Sequence, residues 1–214
     1  MPPRKLESVL HAFAGRIRES RRLAKYAYQW STRATGARRP SISEKRRDSI
    51  TELAFLRGFL AWESFLETSF LVYLSGQSPS RGRIPKRYYF PPNQKMAMEW
   101  LAEGRGYARW ADAGEVGKRA VRFFADGYPF ASVLRSNQTA LSDANTIRNV
   151  IAHESSNVRD QFEKIVRREL GSVPPNRTAG AFLGTIIPAS APPISFLENY
   201  LNKLELCAGQ IIPL

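Results

Sequence analysis

Cysteine is nearly absent. Cys207 is the only one in 214 residues, which excludes an intramolecular disulfide framework and any cysteine-built zinc site. Histidine is almost as scarce, with only His11 and His153. So few ligands make a metal cluster implausible, and neither metal nor cofactor is expected. Carboxylates are in short supply against cations: 19 Asp+Glu face 32 Lys+Arg, a net charge of +13 and a pI near 10.3. That imbalance points to a polyanionic partner, most simply nucleic acid, though an acidic protein or a lipid surface would also satisfy it. Long hydrophobic runs are missing too. The uncharged stretch from Thr178 to Leu197 is interrupted by Pro188, Pro192 and Pro193, so it reads as a loop leading into a helix, not a membrane span. The N-terminus enters a charged amphipathic stretch without an apolar signal core, so a cytoplasmic protein that does not engage membranes is expected.

What is present suits a packed domain. Hydrophobic residues make up 43% of the chain and aromatics 11%, enough to bury a core and to exclude wholesale disorder. Leu6, Val9, Leu10, Phe13 and Ile17 recur at helical spacing and predict a helix from about Pro3 to Trp30. A break at Thr35–Pro40 follows. Ser41 with Glu44 has the pattern of a capping box for a second helix, about Ser43 to Leu74. That helix is apolar nearly all round, from Leu53 through Phe59, Leu60 and Trp62 to Phe70, and is expected to be the central, buried one.

Ser75–Asn93 carries turn chemistry and reads as a loop. Short helices are predicted at Gln94–Glu103 and Glu115–Phe124, the second behind an Asp112/Glu115 capping box, with another turn or two at Tyr128–Arg135. Ser142 is the expected N-cap of a helix to about Glu154. Asn157–Leu170 is a further helix with Gly171 at its C-cap. Ser172–Pro193 reads as loop and Ile194–Gln210 as the last helix. Strand patterns are scarce, so the fold class is all-α. A single domain over 1–214 is expected, with a core of about 6–170 and the last loop and helix packed on it.

The segment Ser142–Glu154, SDANTIRNVIAHE, can carry chemistry. On a regular helix Ala144, Ile147, Val150 and Ile151 share the side that faces the core. Arg148 and His153 lie about 140° apart on the opposite arc, with Asn149 and the small Ala152 between them and Asn145 nearby. Cleaving RNA through its own 2′-hydroxyl needs a group that moves protons near neutral pH, as histidine does. It also needs a cation for charge growing on the phosphate, which arginine's fork matches. Asn149 could orient either group. The ribose supplies the nucleophile, so no activated Ser or Cys is required.

With 24 arginines and two histidines, an Arg five positions before a His arises by chance about one time in five. Demanding Asn directly after the Arg lowers this to about 0.01. The full pattern is therefore informative where the bare pair is not.

Arg148-Asn149-Val150-Ile151-Ala152-His153 resembles the signature of the HEPN superfamily. The order of elements from Leu6 to Leu170, with Phe59-Leu60-Ala61-Trp62-Glu63-Ser64-Phe65-Leu66 in the second helix, is similar as well. The resemblance implies a HEPN-like helical bundle with loop excursions and an additional C-terminal helix. It implies a metal-independent endoribonuclease site of Arg148, Asn149 and His153, paired across a homodimer. It also implies a role in toxin–antitoxin or antiphage defence, with an antitoxin or other defence protein as partner. Ser155 stands where one branch of that superfamily has a tyrosine modified by its antitoxin.

Glu63 and Asn145 are candidate supporting residues, Glu63 as a carboxylate that could fix the Arg148 rotamer. Three basic clusters, Arg16–Lys25, Arg38–Arg47 and Arg81–Arg87, accompany the site. Arg83, Lys86, Arg87 and Tyr88 are the candidate RNA-binding residues, because cations beside aromatics suit single-stranded RNA. Bland roles compete: His153 as a C-terminal helix residue favoured by the macrodipole, Arg148 as a structural ion-pair partner, Cys207 as core. Two other functions stay open, a non-catalytic RNA-binding or assembly module and a sensor using the Arg/His face as an anion pocket.

Overall fold

In the computed structural model, residues 5–32, 42–102, 108–153, 155–174, 177–188 and 190–214 are described. Among them the fold is all-α. The helices are α1 (Leu6–Thr32), α2 (Glu44–Leu74), α3 (Gln94–Ala102), α4 (Ala113–Phe123), α5 (Phe130–Ser136), α6 (Gln138–Ala152), α7 (Ser156–Leu170), α8 (Ala179–Gly184) and α9 (Phe196–Ile211). Extended pairing is limited to isolated bridges, Arg87 with Phe124 and Ile186 with Ser195. No described helix is long and apolar enough to cross a membrane. The expected break at Thr35–Pro40, the cap at Ser41 and the termini at Pro3, Glu103 and Glu154 lie outside the described residues.

The chain divides into two compact units. The first comprises Met1–Gly15, Ala61–Ser142 and Lys203–Leu214. Its centre is Phe70, fully buried, with ring centroids of Phe130, Phe124, Trp110 and Phe123 at 4.9, 5.0, 5.6 and 6.0 Å. Such ring pairs contribute about 0.5–1.5 kcal/mol each beyond their buried area. Tyr73 donates its hydroxyl to the Ile211 carbonyl at 2.7 Å, so its burial leaves no orphaned polar group. Phe13, Trp62 and Phe65 form a second ring cluster. Asp112 caps α4 as expected, accepting from the Gly114 and Glu115 amides, whereas the Glu115 carboxylate accepts from Lys118. Burial pushes the Cys207 thiol up to about 11, as suits a core residue.

The second unit comprises Arg16–Leu60 and Asp143–Asn202. Ser43 Oγ accepts from the Arg46 amide at the start of α2. The expectation that α2 is buried on every side fails here. Leu53 and Leu60 are 55% and 52% exposed, with exposed Arg57 between them paired to Glu19 at 3.0 Å. The face carrying them meets solvent, so this stretch of α2 is a wall of the unit, with Ala54, Phe55 and Phe59 as its inner side. Arg21 of the first basic cluster is held by Glu198 at 2.8 Å, while Arg16, Arg18, Arg22 and Lys25 stay exposed.

Residues 172–193 are not all loop. They contain α8, capped by Thr178, whose hydroxyl accepts from the Ala181 amide. This helix is six residues long and dilute in large side chains, which hides its periodicity. Tertiary contacts hold it. Phe182 stacks on Phe196 at 4.4 Å and meets Phe162 edge-on at 5.7 Å. The Gly180 amide donates to Glu52 at 2.8 Å. A Cβ on Gly180 would run into the backbone carbonyl of Asp48, and one on Gly184 into the Tyr28 hydroxyl. Glycine is needed at both positions so that α8 can lie this close.

Gly180→Ala is therefore expected to lower stability by about 2 kcal/mol or more, since the obstructing atom is backbone and cannot rotate away. Gly117→Ala, mid-helix in α4 with nothing within 4 Å, is expected to gain about 0.5–1 kcal/mol. Urea denaturation of the two variants beside the parent checks both signs.

Candidate functional site

The Arg-Asn-x-x-x-His residues lie in the second unit on α6 and just past its end. The helix begins four residues before the expected Ser142 cap. Asn137 is the junction instead: its amide nitrogen donates back to the Val133 carbonyl, and its own carbonyl accepts the Leu141 amide. With those groups satisfied, the chain leaves α5 and enters α6 through one residue, and Ser142 is an exposed residue within the helix.

Only three residues separate α6 from α7, a length typical of an αα-hairpin. Asp143, near the start of α6, accepts from Arg168, near the end of α7, at 2.5 Å. A contact between residues nearly equidistant from the connection requires the two helices to run antiparallel. The hydrogen bond to Asp143 is the largest influence on the Arg168 guanidinium and raises its pKa further, while burial opposes it. Tyr200, buried, has its hydroxyl pKa pushed up by that burial. His153 is then at the tip of the hairpin.

Asn149 meets Arg148 through its side chain and His153 through the regular helical backbone bond. Its side-chain oxygen accepts from the Arg148 Nη1 at 3.1 Å, and its backbone carbonyl accepts the His153 amide at 2.9 Å. Arg148 and Asn149 are half-buried, whereas Ala152 and His153 are exposed. Asn145, half-buried, sits one turn before Asn149 on the same helix. The apolar side is graded. Ala144 and Ile147 are buried as expected, but Val150 and Ile151 are only half-buried, because α6 loses its cover toward the tip. The guanidinium, the amide and the imidazole thus lie within the stretch Arg148–His153, at the end of α6 and just past it.

The remaining candidates lie in the first unit. Glu63 is half-buried on α2. Arg83 is exposed, lies 4.7 Å from the Tyr128 ring centroid and pairs with Asp126 at 3.6 Å. Lys86 and Tyr88 are exposed. Arg87 is half-buried and anchored, donating to the Leu74 carbonyl at 2.9 Å with its guanidinium 4.7 Å from the Phe90 ring centroid. The pattern of 94–103 marks a helix and gives no sign that Trp100 is exposed and edge-on to Tyr89. The only signal for Asp143 and Arg168 is opposite charge at mirrored places in two consecutive helices. Among the described residues, no group of three or more His, Cys, Asp or Glu could hold a metal ion.

No protein-family model, no curated protein and no solved structure matches this chain.

Asp143→Ala is expected to cost about 1 kcal/mol, a value set by a hydrogen-bonded pair of which the arginine is half exposed. Because the pair closes the hairpin, hydrogen exchange should quicken along α6 and α7 before other helices. Exchange mass spectrometry checks this; uniform acceleration across the chain would contradict it.

Proposed function

We propose that the chain is a HEPN-type endoribonuclease that needs no metal, cleaves RNA by 2′-hydroxyl attack and works in a toxin or antiphage-defence system. The observation that carries this reading is the Asn149 side chain accepting from Arg148 one helical turn before exposed His153. That arrangement places the two chemical groups at one helix end with the imidazole open to solvent.

In this mechanism His153 takes the proton from the ribose 2′-oxygen, which attacks the phosphorus. Arg148 stabilises the charge that accumulates on the non-bridging oxygens. The bond to the 5′-oxygen breaks, and that oxygen leaves with a proton from an acid. The products are a 2′,3′-cyclic phosphate and a 5′-hydroxyl. A second copy of the chain supplies the acid: a two-fold axis at the hairpin tip brings two imidazoles and two guanidiniums around one phosphate. Small, exposed Ala152, between Arg148 and His153 on that arc, favours such a face, since it leaves room for a second helix. The site of action under this reading is the cytoplasm, with an antitoxin or other defence protein as regulator.

Purified protein is expected to cut RNA in the presence of EDTA and to leave cyclic phosphate ends, detectable by their resistance to phosphatase until acid treatment. His153→Ala should lower the rate by about 10²–10⁴ while RNA binding survives. Equal rates in parent and variant would remove His153 from the mechanism. The active species should sediment as a dimer at assay concentrations, and full activity in a monomer would refute the shared site. The competing reading, a module that binds RNA without cutting it, draws on the exposed cations and rings of 81–100. It is the outcome if binding is tight and no cleavage occurs.

A further inference from the structure

The segment Ser75–Trp100 holds five cations, Arg81, Arg83, Lys86, Arg87 and Lys95, against one carboxylate, Glu99. It also exposes large rings, which a soluble surface ordinarily hides. Phe90 is 66% exposed, Tyr88 53%, Tyr89 46% and Trp100 37%.

The backbone beneath these rings is fastened at several places within the first unit. The Lys86 carbonyl accepts the Ala125 amide at 2.8 Å, and the Tyr88 amide donates to Phe123 at 3.0 Å. Gly82, in the left-handed region at φ 92°, lets the chain pass close to Pro213 and the Tyr128 hydroxyl. The side chains are fastened as well. Arg87 is tied to the Leu74 carbonyl and lies over the Phe90 ring, and Tyr89 rests against Phe123 at 5.2 Å and Trp100 at 6.2 Å. Phe90, Tyr89 and Trp100 thus have contacts that position them while much of their surface stays in water. Preorganisation of this kind lowers the entropy lost when a planar ligand arrives.

We infer that Phe90, with Arg87 against it, and the Tyr89–Trp100 pair form a stacking platform for the bases of single-stranded RNA. Exposed Arg81 and Lys86 meet its phosphates. Arg87 is a positioning residue here, since its guanidinium is already committed to Leu74 and Phe90. Unpaired bases are favoured over duplex because stacking needs a free base face, and every base offers one. An acidic protein would use the cations but has no need of four exposed rings.

This inference deepens the nuclease reading by naming the strandedness of its substrate, yet it concerns binding alone and can be tested apart from cleavage. The experiment measures fluorescence anisotropy of a short labelled single-stranded RNA and of the same sequence as a duplex, using the His153→Ala protein so that the probe stays intact. The single strand should bind at least tenfold tighter than the duplex. Phe90→Ala should weaken single-strand binding about tenfold, and Phe90→Trp should restore it. Photocrosslinking with 5-iodouridine RNA should label peptides containing Tyr89, Phe90 or Trp100. Circular dichroism should show that the variants remain folded, as the exposure of these side chains leads one to expect.

Binding unchanged by Phe90→Ala, equal affinity for duplex, crosslinks confined to other peptides, or no RNA binding at all would each overturn the platform. The last would hand the surface to a protein partner. If the Phe90→Ala variant binds normally while the parent cleaves RNA, the platform falls and the nuclease stands. If the platform binds and the parent cleaves nothing, the reverse holds.

Discussion

The ion pair between Asp143 and Arg168 closes the open end of the α6–α7 hairpin, and the candidate site at the far end inherits its geometry from that closure. Motif residues on the last turn of a helix gain little rigidity from local hydrogen bonds, because the final carbonyls have no intrahelical partner. Their placement comes from what α6 is fastened to. Asn137 fastens the beginning and Asp143 the first turns, while buried Ala144 and Ile147 fasten the middle. Beyond them, the Asn149 side chain accepts from Arg148 and its backbone carbonyl takes the His153 amide. The site is therefore stiff at its base and open at its tip, which suits a group that must approach a polymer.

Much of this was legible in the residues. Periodicity located α1, α2, α3, α4, α5, α7 and α9 to within a few residues, because each has a regular apolar stripe or a cap such as Asp112 or Gly171. What escaped was set by tertiary contact. Ser142 is a good cap in isolation, but Asn137 satisfies the junction earlier and the helix simply continues through the serine. The six-residue α8 depends on two glycines approaching α1 and α2 closely, and nothing in a one-dimensional pattern announces that. The fully apolar look of α2 suggested burial on all sides, whereas Leu53 and Leu60 face water beside Arg57. Apolar residues count toward a core only when something covers them.

The candidate site was legible in a different way. The triplet Arg148, Asn149 and His153 stood out by spacing, but the hydrogen bond from the Arg148 guanidinium to the Asn149 side chain is not something that spacing reveals. The basic clusters show the converse. Arg21, Arg47 and Arg87 look like equals of their neighbours in the sequence, yet each is occupied, by Glu198, Asp48 and the Leu74 carbonyl respectively. Net charge identifies a class of partner; it does not say which cations are free to meet one.

The fastening of Lys86 and Tyr88 to Ala125 and Phe123 also bears on how the protein meets a protease. By sequence, Arg81 to Arg87 offers trypsin four cutting places within seven residues, all but one of them exposed. A protease must draw an extended stretch of backbone into its cleft, and here that backbone is already engaged with the chain around α4. Cutting after Lys86 or Arg87 thus has to wait for this stretch to peel away, so its rate measures the local opening free energy rather than the accessibility of the side chains.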